Sequence, residues 1–270
     1  MPLDKPCACA PGDELRMATK GGSRYKKILD QFTEDRPAWT VADLAVQLET
    51  ASSTVYKWVG ELVALGFLEA TLDAQYRLGP AFLEFERRLR RTDPLLRAGD
   101  VFLTELVEKS GLECTAILAR LYGNKVMCVA DAHSANMQLT SSFERGLPMP
   151  LTRSATSRAI LSVIESRRLK RFLQRETELK GPSLNRFLED VFATRKQGYW
   201  ISRGEVDQGA IGIAVPLFDR QLGLEASLSL VVKTDNMTDD AFGGVIALLT
   251  QTVERIQAFL AQQYKAPETR

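Results

Sequence analysis

Residues 52–79 read SSTVYKWVGELVALGFLEATLDAQYRLG, and the punctuation of this stretch decides the fold of the N-terminal part. Ser52, Ser53 and Thr54 offer an N-terminal cap to a helix whose Val55, Val59 and Leu62 recur with the helical period and form one buried stripe. Ser52, Ser53, Tyr56 and Lys57 then fall on its exposed face. Gly66 stops the helix, and Phe67–Ala70 and Gln75–Leu78 read as two strands around Asp73, a hairpin.

Working upstream, Tyr25, Ile28, Leu29 and Phe32 stand at i, i+3, i+4 and i+7, so Arg24 to Phe32 is an amphipathic helix that ends before Asp35-Arg36-Pro37. Thr40 stands three residues before Asp43, a capping-box-like pair that opens a second helix through Leu48. Two short helices separated by a turn of about four residues, the second starting with hydroxyl and basic side chains, make a helix-turn-helix. That arrangement places the third helix in a DNA major groove and makes the hairpin a wing. A plain helical bundle would share the helices but not the order of three helices followed by a hairpin.

The whole chain has 270 residues, enough for two domains, and its 45% hydrophobic and 26% charged fractions exclude disordered and fibrous classes for all but the ends. No apolar run approaches a membrane span, and the first residues carry acids and prolines where a signal peptide needs an apolar stretch, so a cytoplasmic location is expected. A formal net charge of +1 leaves nucleic-acid binding undecided, because that affinity needs a local basic surface and not a basic total.

Cys7, Cys9, Cys114 and Cys128 lack the paired spacing of a zinc ribbon or a disulfide framework; the first two lie in a proline-rich tail and the last two read as core thiols. His133 is the single histidine, with no nucleophile elbow or metal-binding helix near it, so no catalytic residues, metal or cofactor are expected.

Phe82 to Arg91 is a helix by propensity that ends before Thr92-Asp93-Pro94, and its Arg87, Arg88, Arg90 and Arg91 form either a solvated face or a contact to DNA backbone. Leu95 to Lys109 is a further amphipathic helix. From Glu113 the pattern turns to strands: Cys114–Ala119 and Lys125–Ala130 as a hairpin, and Met137–Ser142 as a third strand. Helices over about 154–166 and 184–197, strands over 199–202, 211–218 and 225–233, and a last helix over about 239–262 complete an α+β domain with a largely antiparallel sheet.

Alternation along the strands gives an independent reason to expect a pocket. Ser227 and Ser229 share one face, and Gly212, Ala214 and Pro216 share one face of the neighbouring strand. If both faces lie on the same side of the sheet, they leave volume for a ligand, with hydroxyls to orient its polar end. The helix opening at Arg153-Ser154-Ala155-Thr156-Ser157 offers backbone N–H groups to an anion; Arg153 either points to water or shares a negative partner there.

The string Ser53-Thr54-Val55-Tyr56-Lys57-Trp58-Val59, with Glu61-Leu62, Leu65-Gly66-Phe67-Leu68 and Tyr76-Arg77-Leu78-Gly79, resembles the recognition helix and wing of IclR-family transcriptional regulators. Gly146-Leu147-Pro148-Met149-Pro150-Leu151, Gly198-Tyr199, Gly204-Glu205 and Ile213-Ala214-Val215-Pro216-Leu217-Phe218-Asp219 extend the resemblance over about 22–262. Where the family usually has arginine this chain has Lys57, a point charge suited to phosphate, which leaves base readout to residues including Ser52, Thr54 and Tyr56.

The resemblance implies a tail over 1–21, a winged helix-turn-helix over 22–79, a linker helix over 80–93, a GAF-like effector-binding domain over 94–264 and a tail over 265–270. It also implies double-stranded operator DNA as partner, a homodimer or a dimer of dimers, and a small organic effector, a carboxylate or aromatic acid. The family's His-Ala-Thr-Ala-x-Gly-Lys run appears as Thr152-Arg153-Ser154-Ala155-Thr156-Ser157-Arg158; a family effector-contacting acid aligns near Ser202, a family cysteine with Gly212, and Ser229 keeps a family serine position. The expected effector site is therefore Arg153, Ser154, Ala155, Ser157, Ser202, Gly212, Ser227 and Ser229. Two other classes compete: a DNA-binding protein whose C-terminal domain only oligomerises, and an enzyme with an accessory DNA-binding module. Ligand-dependent stabilisation separates the first from a sensor, and turnover of the ligand would mark the second.

Overall fold

The computed structural model of the protein describes residues 22–135, 142–175 and 179–263. The chain forms two compact units that divide between Leu89 and Arg90. The expected tails, with Cys7 and Cys9, lie outside the described residues, as does the expected strand Met137–Ser142 except for its last residue.

The first unit runs α1 (Gly22–Leu29), β1 (Ala38–Thr40), α2 (Val41–Gln47), α3 (Ser52–Ala64), β2 (Leu68–Ala70), β3 (Gln75–Leu78) and the start of α4 (Ala81–Thr92). Ile28, Leu44, Val55, Val59 and Leu62 share one core with Trp39 and Leu68, so the apolar stripes of all three helices point inward as the periodicity requires. Tyr25 donates to Glu61 Oε2 at 2.5 Å, tying α1 to α3. Thr40 Oγ1 accepts from the Asp43 N–H at 3.1 Å and caps α2.

Three local readings need correction. The serines do not cap α3: Ala51 is its N-cap, without a side-chain bond, because the helix starts a residue early and draws Ser52 inside, leaving both serines exposed. The first helix stops at Leu29, and Phe32 reaches the core through a turn in which its N–H bonds the Leu29 carbonyl at 3.2 Å. Strand β1 was not foreseen; it pairs antiparallel with β3, making the wing a three-stranded sheet in the order β1-β3-β2. At the wing's base, Gly79 donates to the Phe67 carbonyl at 2.8 Å, and a Cβ on Gly79 would stand 2.3 Å from the Gly66 carbonyl oxygen.

The second unit contains α5 (Pro94–Ser110), β4 (Cys114–Tyr122), β5 (Lys125–His133), β6 (Pro148–Pro150), α6 (Ser154–Ser162), α7 (Ser166–Leu173), α8 (Pro182–Gln197), β7 (Trp200–Arg203), β8 (Ala210–Asp219), β9 (Leu224–Lys233) and α9 (Ala241–Gln263). Its six strands pair antiparallel in the order β6-β5-β4-β9-β8-β7. Asp93 opens α5 by accepting from the N–H groups of Leu95 at 2.8 Å and Leu96 at 3.3 Å, with Pro94 in the first turn, where its missing N–H costs nothing.

Alternation divides the sheet into two faces. Ala116, Leu118, Ile213, Val215, Leu228 and Leu230 pack with α5 and α9. Ile117, Ala119, Cys128 and Val231 face the other way, in one core with residues of α6, α7 and α8. Across the β8–β9 ladder Gly212 lies opposite Val231, Ala214 opposite Ser229 and Pro216 opposite Ser227, so the small residues do share one side, the side of α6.

Replacing Gly79 with alanine sets a Cβ against backbone that cannot rotate away, and is expected to destabilise the first unit by about 1–3 kcal/mol and to weaken operator binding. Equal melting and equal binding for wild type and Gly79→Ala would refute the close approach. Burial pushes the Cys114 thiol up and the Cys128 thiol up to about 12, the latter helped by the charge of Asp131. A Cys7→Ala/Cys9→Ala chain should thus resist thiol-directed reagents at about pH 8 until it unfolds, since the thiolate is the nucleophile.

Candidate functional site

On α3, Val55, Val59 and Leu62 are buried while Ser52, Ser53, Tyr56 and Lys57 are exposed and Thr54 is half-buried. The five residues read from the sequence thus cluster on the N-terminal half of one helix. A helix that presents its first turns outward, beside a short hairpin, is the shape that enters a major groove. Tyr56 is 66% exposed, a large ring left mostly in water. In α4, Arg88 pairs with Glu84 and Arg90 lies 3.9 Å from Asp100, while Arg87 and Arg91 are exposed.

The second unit holds a small cleft of about 30 Å³, open to solvent, at the head of α6. Phe143, Val206, Ala210 and Val231 give it apolar walls; Ser154, Thr156, Ser202, Glu205 and Asp207 give it polar ones. Ser154 has a left-handed φ of +83°, a conformation that costs a residue with a Cβ about 1–3 kcal/mol unless its surroundings hold it. Here they do. Its N–H donates to Glu205 Oε2 at 3.1 Å, and its Oγ accepts from the Ser157 N–H at 3.2 Å. The next N–H, of Ala155, donates to Ser202 Oγ at 3.2 Å.

Behind this turn lies Arg158, nine-tenths buried. Its Nη1 donates to Glu205 Oε2 at 2.6 Å and to the Ser154 carbonyl at 3.3 Å, and its Nε stands 3.4 Å from Asp190 Oδ2. The guanidinium centre lies 5.0 Å from the Phe187 ring centre and 5.3 Å from that of Trp200. Planar charge between two rings and two carboxylates is a geometry lysine could not reproduce.

The expected effector residues divide into three groups. Ser154, Ala155, Ser202 and Gly212 line the cleft. Arg153 is exposed at the N-cap of α6 and makes no cap bond with its side chain. Ser157, Ser227 and Ser229 are fully buried and are not among the residues lining the cleft: Ser229 Oγ meets Thr156 Oγ1 at 3.0 Å, Ser227 donates to the Thr156 carbonyl at 3.3 Å, and Ser157 donates to the Pro150 carbonyl at 3.3 Å. The volume that small strand residues were expected to leave open is filled by α6 itself. The N–H groups expected to be free at the head of that helix are likewise taken by the chain's own acceptors.

Sequence reasoning missed Glu205, Asp207, Phe143, Val206, Ala210 and Val231 as cleft residues, and Arg158 as the cation behind it. One signal was present: Arg158 sits in a helix of otherwise small and apolar residues, Ser154–Ser162, where a cation needs a carboxylate from elsewhere.

Comparison with known proteins matches residues 24–71 to the IclR helix-turn-helix domain and residues 89–258 to the bacterial transcriptional regulator IclR C-terminal domain. The chain belongs to the IclR family. It is a DNA-binding transcriptional regulator with a GAF-like C-terminal domain, not an enzyme. The HTH-type transcriptional regulator BhcR of Paracoccus denitrificans is 26% identical over 242 residues, which cover 85% of this chain and 83% of that one.

Two solved structures share the fold. The IclR transcriptional regulator of Alicyclobacillus acidocaldarius is 21% identical, with a TM-score of 0.71 over 88% of this chain and 96% of that one. An IclR homologue of Microbacterium hydrocarbonoxydans, solved in complex with 4-hydroxybenzoate, is 21% identical, with a TM-score of 0.71 over 89% and 98%. Among the described residues no helix is long and apolar enough to cross a membrane, and no group of His, Cys, Asp and Glu could hold a metal ion.

In this IclR-family chain, Arg158→Met removes the shared partner of two carboxylates. Glu205 and Asp190 are 30% and 28% exposed, so solvent offsets part of the loss and the expected destabilisation is about 2–3 kcal/mol, below that for breaking a wholly buried pair. Urea unfolding of the full chain measures it. A change within about 0.5 kcal/mol, the range of neutral surface substitutions, would show that the cage contributes little.

Proposed function

We propose that this regulator binds an operator as a homodimer through α3 and changes its operator affinity when a small organic acid, aromatic in the favoured case, enters the cleft at the head of α6. The observation that carries the reading is the cleft itself: apolar walls beside oriented hydroxyls on one concave surface. The fold neighbour solved with 4-hydroxybenzoate supports the ligand class.

In this reading residues 22–79 bind DNA and residues 80–93 form the linker helix. Ser52, Thr54 and Tyr56 read base edges, while Ser53 and Lys57 hold phosphates. A second copy is required because one recognition helix reads too few base pairs, and paired helices fit repeated half-sites. The effector domain follows from residue 94, and Ser154, Ala155, Ser202 and Gly212 remain its effector contacts. The effector acts by binding two states of the dimer unequally, since equal affinity for both would shift nothing.

Lys57→Ala should weaken binding to all operators alike and lower the salt slope of the binding constant by about one, whereas Ser52→Ala or Tyr56→Ala should re-rank operator variants. Specific footprints that persist after deletion of residues 22–79 would sink the assignment.

On the effector side, Val231→Phe narrows the cleft from its sheet wall. Calorimetry with 4-hydroxybenzoate and related acids should find binding to the wild type and at least about tenfold weaker binding to the variant, the scale of 1.4 kcal/mol. Equal affinity in both would place the effector elsewhere.

A further inference from the structure

The first turn of α6 is already ligated by the chain's own side chains, and one of the three acceptors, Glu205, is an anion. Its Oε2 takes both the Ser154 N–H at 3.1 Å and Arg158 Nη1 at 2.6 Å. A carboxylate on a helix N-terminus with an arginine beside it is the arrangement that an external organic acid would itself adopt. The Arg158 side chain cannot turn to water, because it lies between Phe187 and Trp200, and its Nε is buried without a hydrogen-bond partner. Asp190 Oδ2 stands 3.4 Å from Nε and Glu205 Oε2 2.6 Å from Nη1, so an exchange at Nη1 replaces one of the two anions of the cage and leaves the other in place.

Glu205 differs from an effector only in being tethered. It lies on the β7–β8 connection between Gly204, at φ +62°, and Gly209, at φ +77°, and it lines the cleft. An incoming carboxylate cannot share its place, since two carboxylates within hydrogen-bond reach of one Nη1 and one N–H repel each other.

We propose that Glu205 is an internal ligand, which holds the anion position at the head of α6 in the effector-free protein and is displaced by the carboxylate of the effector. The inference rests on the effector reading above for the identity of the displacing group alone. Competition of this kind lowers the apparent affinity by the fraction of molecules in which the site stands open, and so sets the effector concentration at which the protein responds. It also makes binding a conformational event, because the displaced carboxylate carries the 204–209 connection with it.

The test uses the full chain and acetate, which matches in size the two-carbon carboxylate unit that Glu205→Ala removes. Thermal unfolding of the wild type, Glu205→Ala and Glu205→Gln is followed in sodium acetate against sodium chloride of equal ionic strength. Both variants should melt below the wild type. Acetate should raise the melting temperature of Glu205→Ala saturably by several degrees, raise that of Glu205→Gln less, and leave the wild type unchanged.

Glu205→Gln keeps a neutral acceptor for the Ser154 N–H and serves alone should the alanine variant fail to fold. The same small acetate response in all three proteins would overturn the proposal. In parallel, 4-hydroxybenzoate should bind Glu205→Gln about tenfold more tightly than the wild type, because its competitor has lost its charge. Weaker or unchanged binding would make Glu205 a supporting contact and overturn its displacement. Binding to neither protein, with the acetate rescue intact, would remove the effector reading and leave the internal ligand standing.

Discussion

Helix α6 lies directly on the sheet, and the rest of the second unit depends on that close approach. All nine of its residues are buried, which the small residues Gly212, Ala214, Ser227 and Ser229 of β8 and β9 permit by leaving room beneath it. A Cβ on Gly212 would stand 2.9 Å from Ser202 Oγ and 3.7 Å from the Ala155 Cβ, so even alanine would press on the side chain that receives the Ala155 N–H. Hydroxyls are tolerated in so dry a seam because each finds a partner: Thr156 with Ser229, and Ser227 with the Thr156 carbonyl. The approach also explains the position of the cleft. The cleft opens at the helix's first turn, between Ser154, Ala155 and Thr156 and the β7–β8 connection.

Much of the fold was legible in the sequence wherever one physical signal dominated. The stripe Val55, Val59 and Leu62 and the stop at Gly66 fixed α3 closely, and Gly198 at φ +83° ends α8 where the pattern placed it. Strand β1 escaped because three residues cannot display alternation, and its existence depends on pairing with β3, a long-range event. One helix was expected over 154–166; two form, separated where Glu165 turns its carboxylate back to the N–H groups of Arg167 and Arg168 and opens α7. That bond, with the nearby arginines, holds the Glu165 carboxyl below its usual range. Glutamate is not a usual cap, so composition gave no warning.

The site was legible as far as strand parity carries and no farther. Parity correctly put Ser227, Ser229, Gly212 and Ala214 on one face, but it is silent on whether a small residue faces a ligand or a helix. Volume removed from one element is indistinguishable, in one dimension, from volume claimed by another. Glu205 illustrates the same limit for charge. Its partners Ser154 and Arg158 lie 51 and 47 positions away in the chain, and only the folded sheet brings the three together.

A cation buried at this depth is seldom a net source of stability, because desolvation offsets most of the attraction in the pair. What Arg158 does supply is a directional requirement for carboxylate at one end of α6, set against two aromatic rings that fix its plane. For a regulator this is a useful kind of constraint. The coupling between two sites is commonly worth about 1–3 kcal/mol, so a signal can be carried only by contacts that are poised near exchange. The apolar seam under α6 is not poised: its hydroxyls and small side chains fit one arrangement. The head of the helix is different, since one carboxylate there can give way to another with the number of hydrogen bonds and the charge conserved. Binding free energy at that position is therefore free to move the connection that bears Glu205, while the sheet and α6 stay fixed as the frame against which it moves.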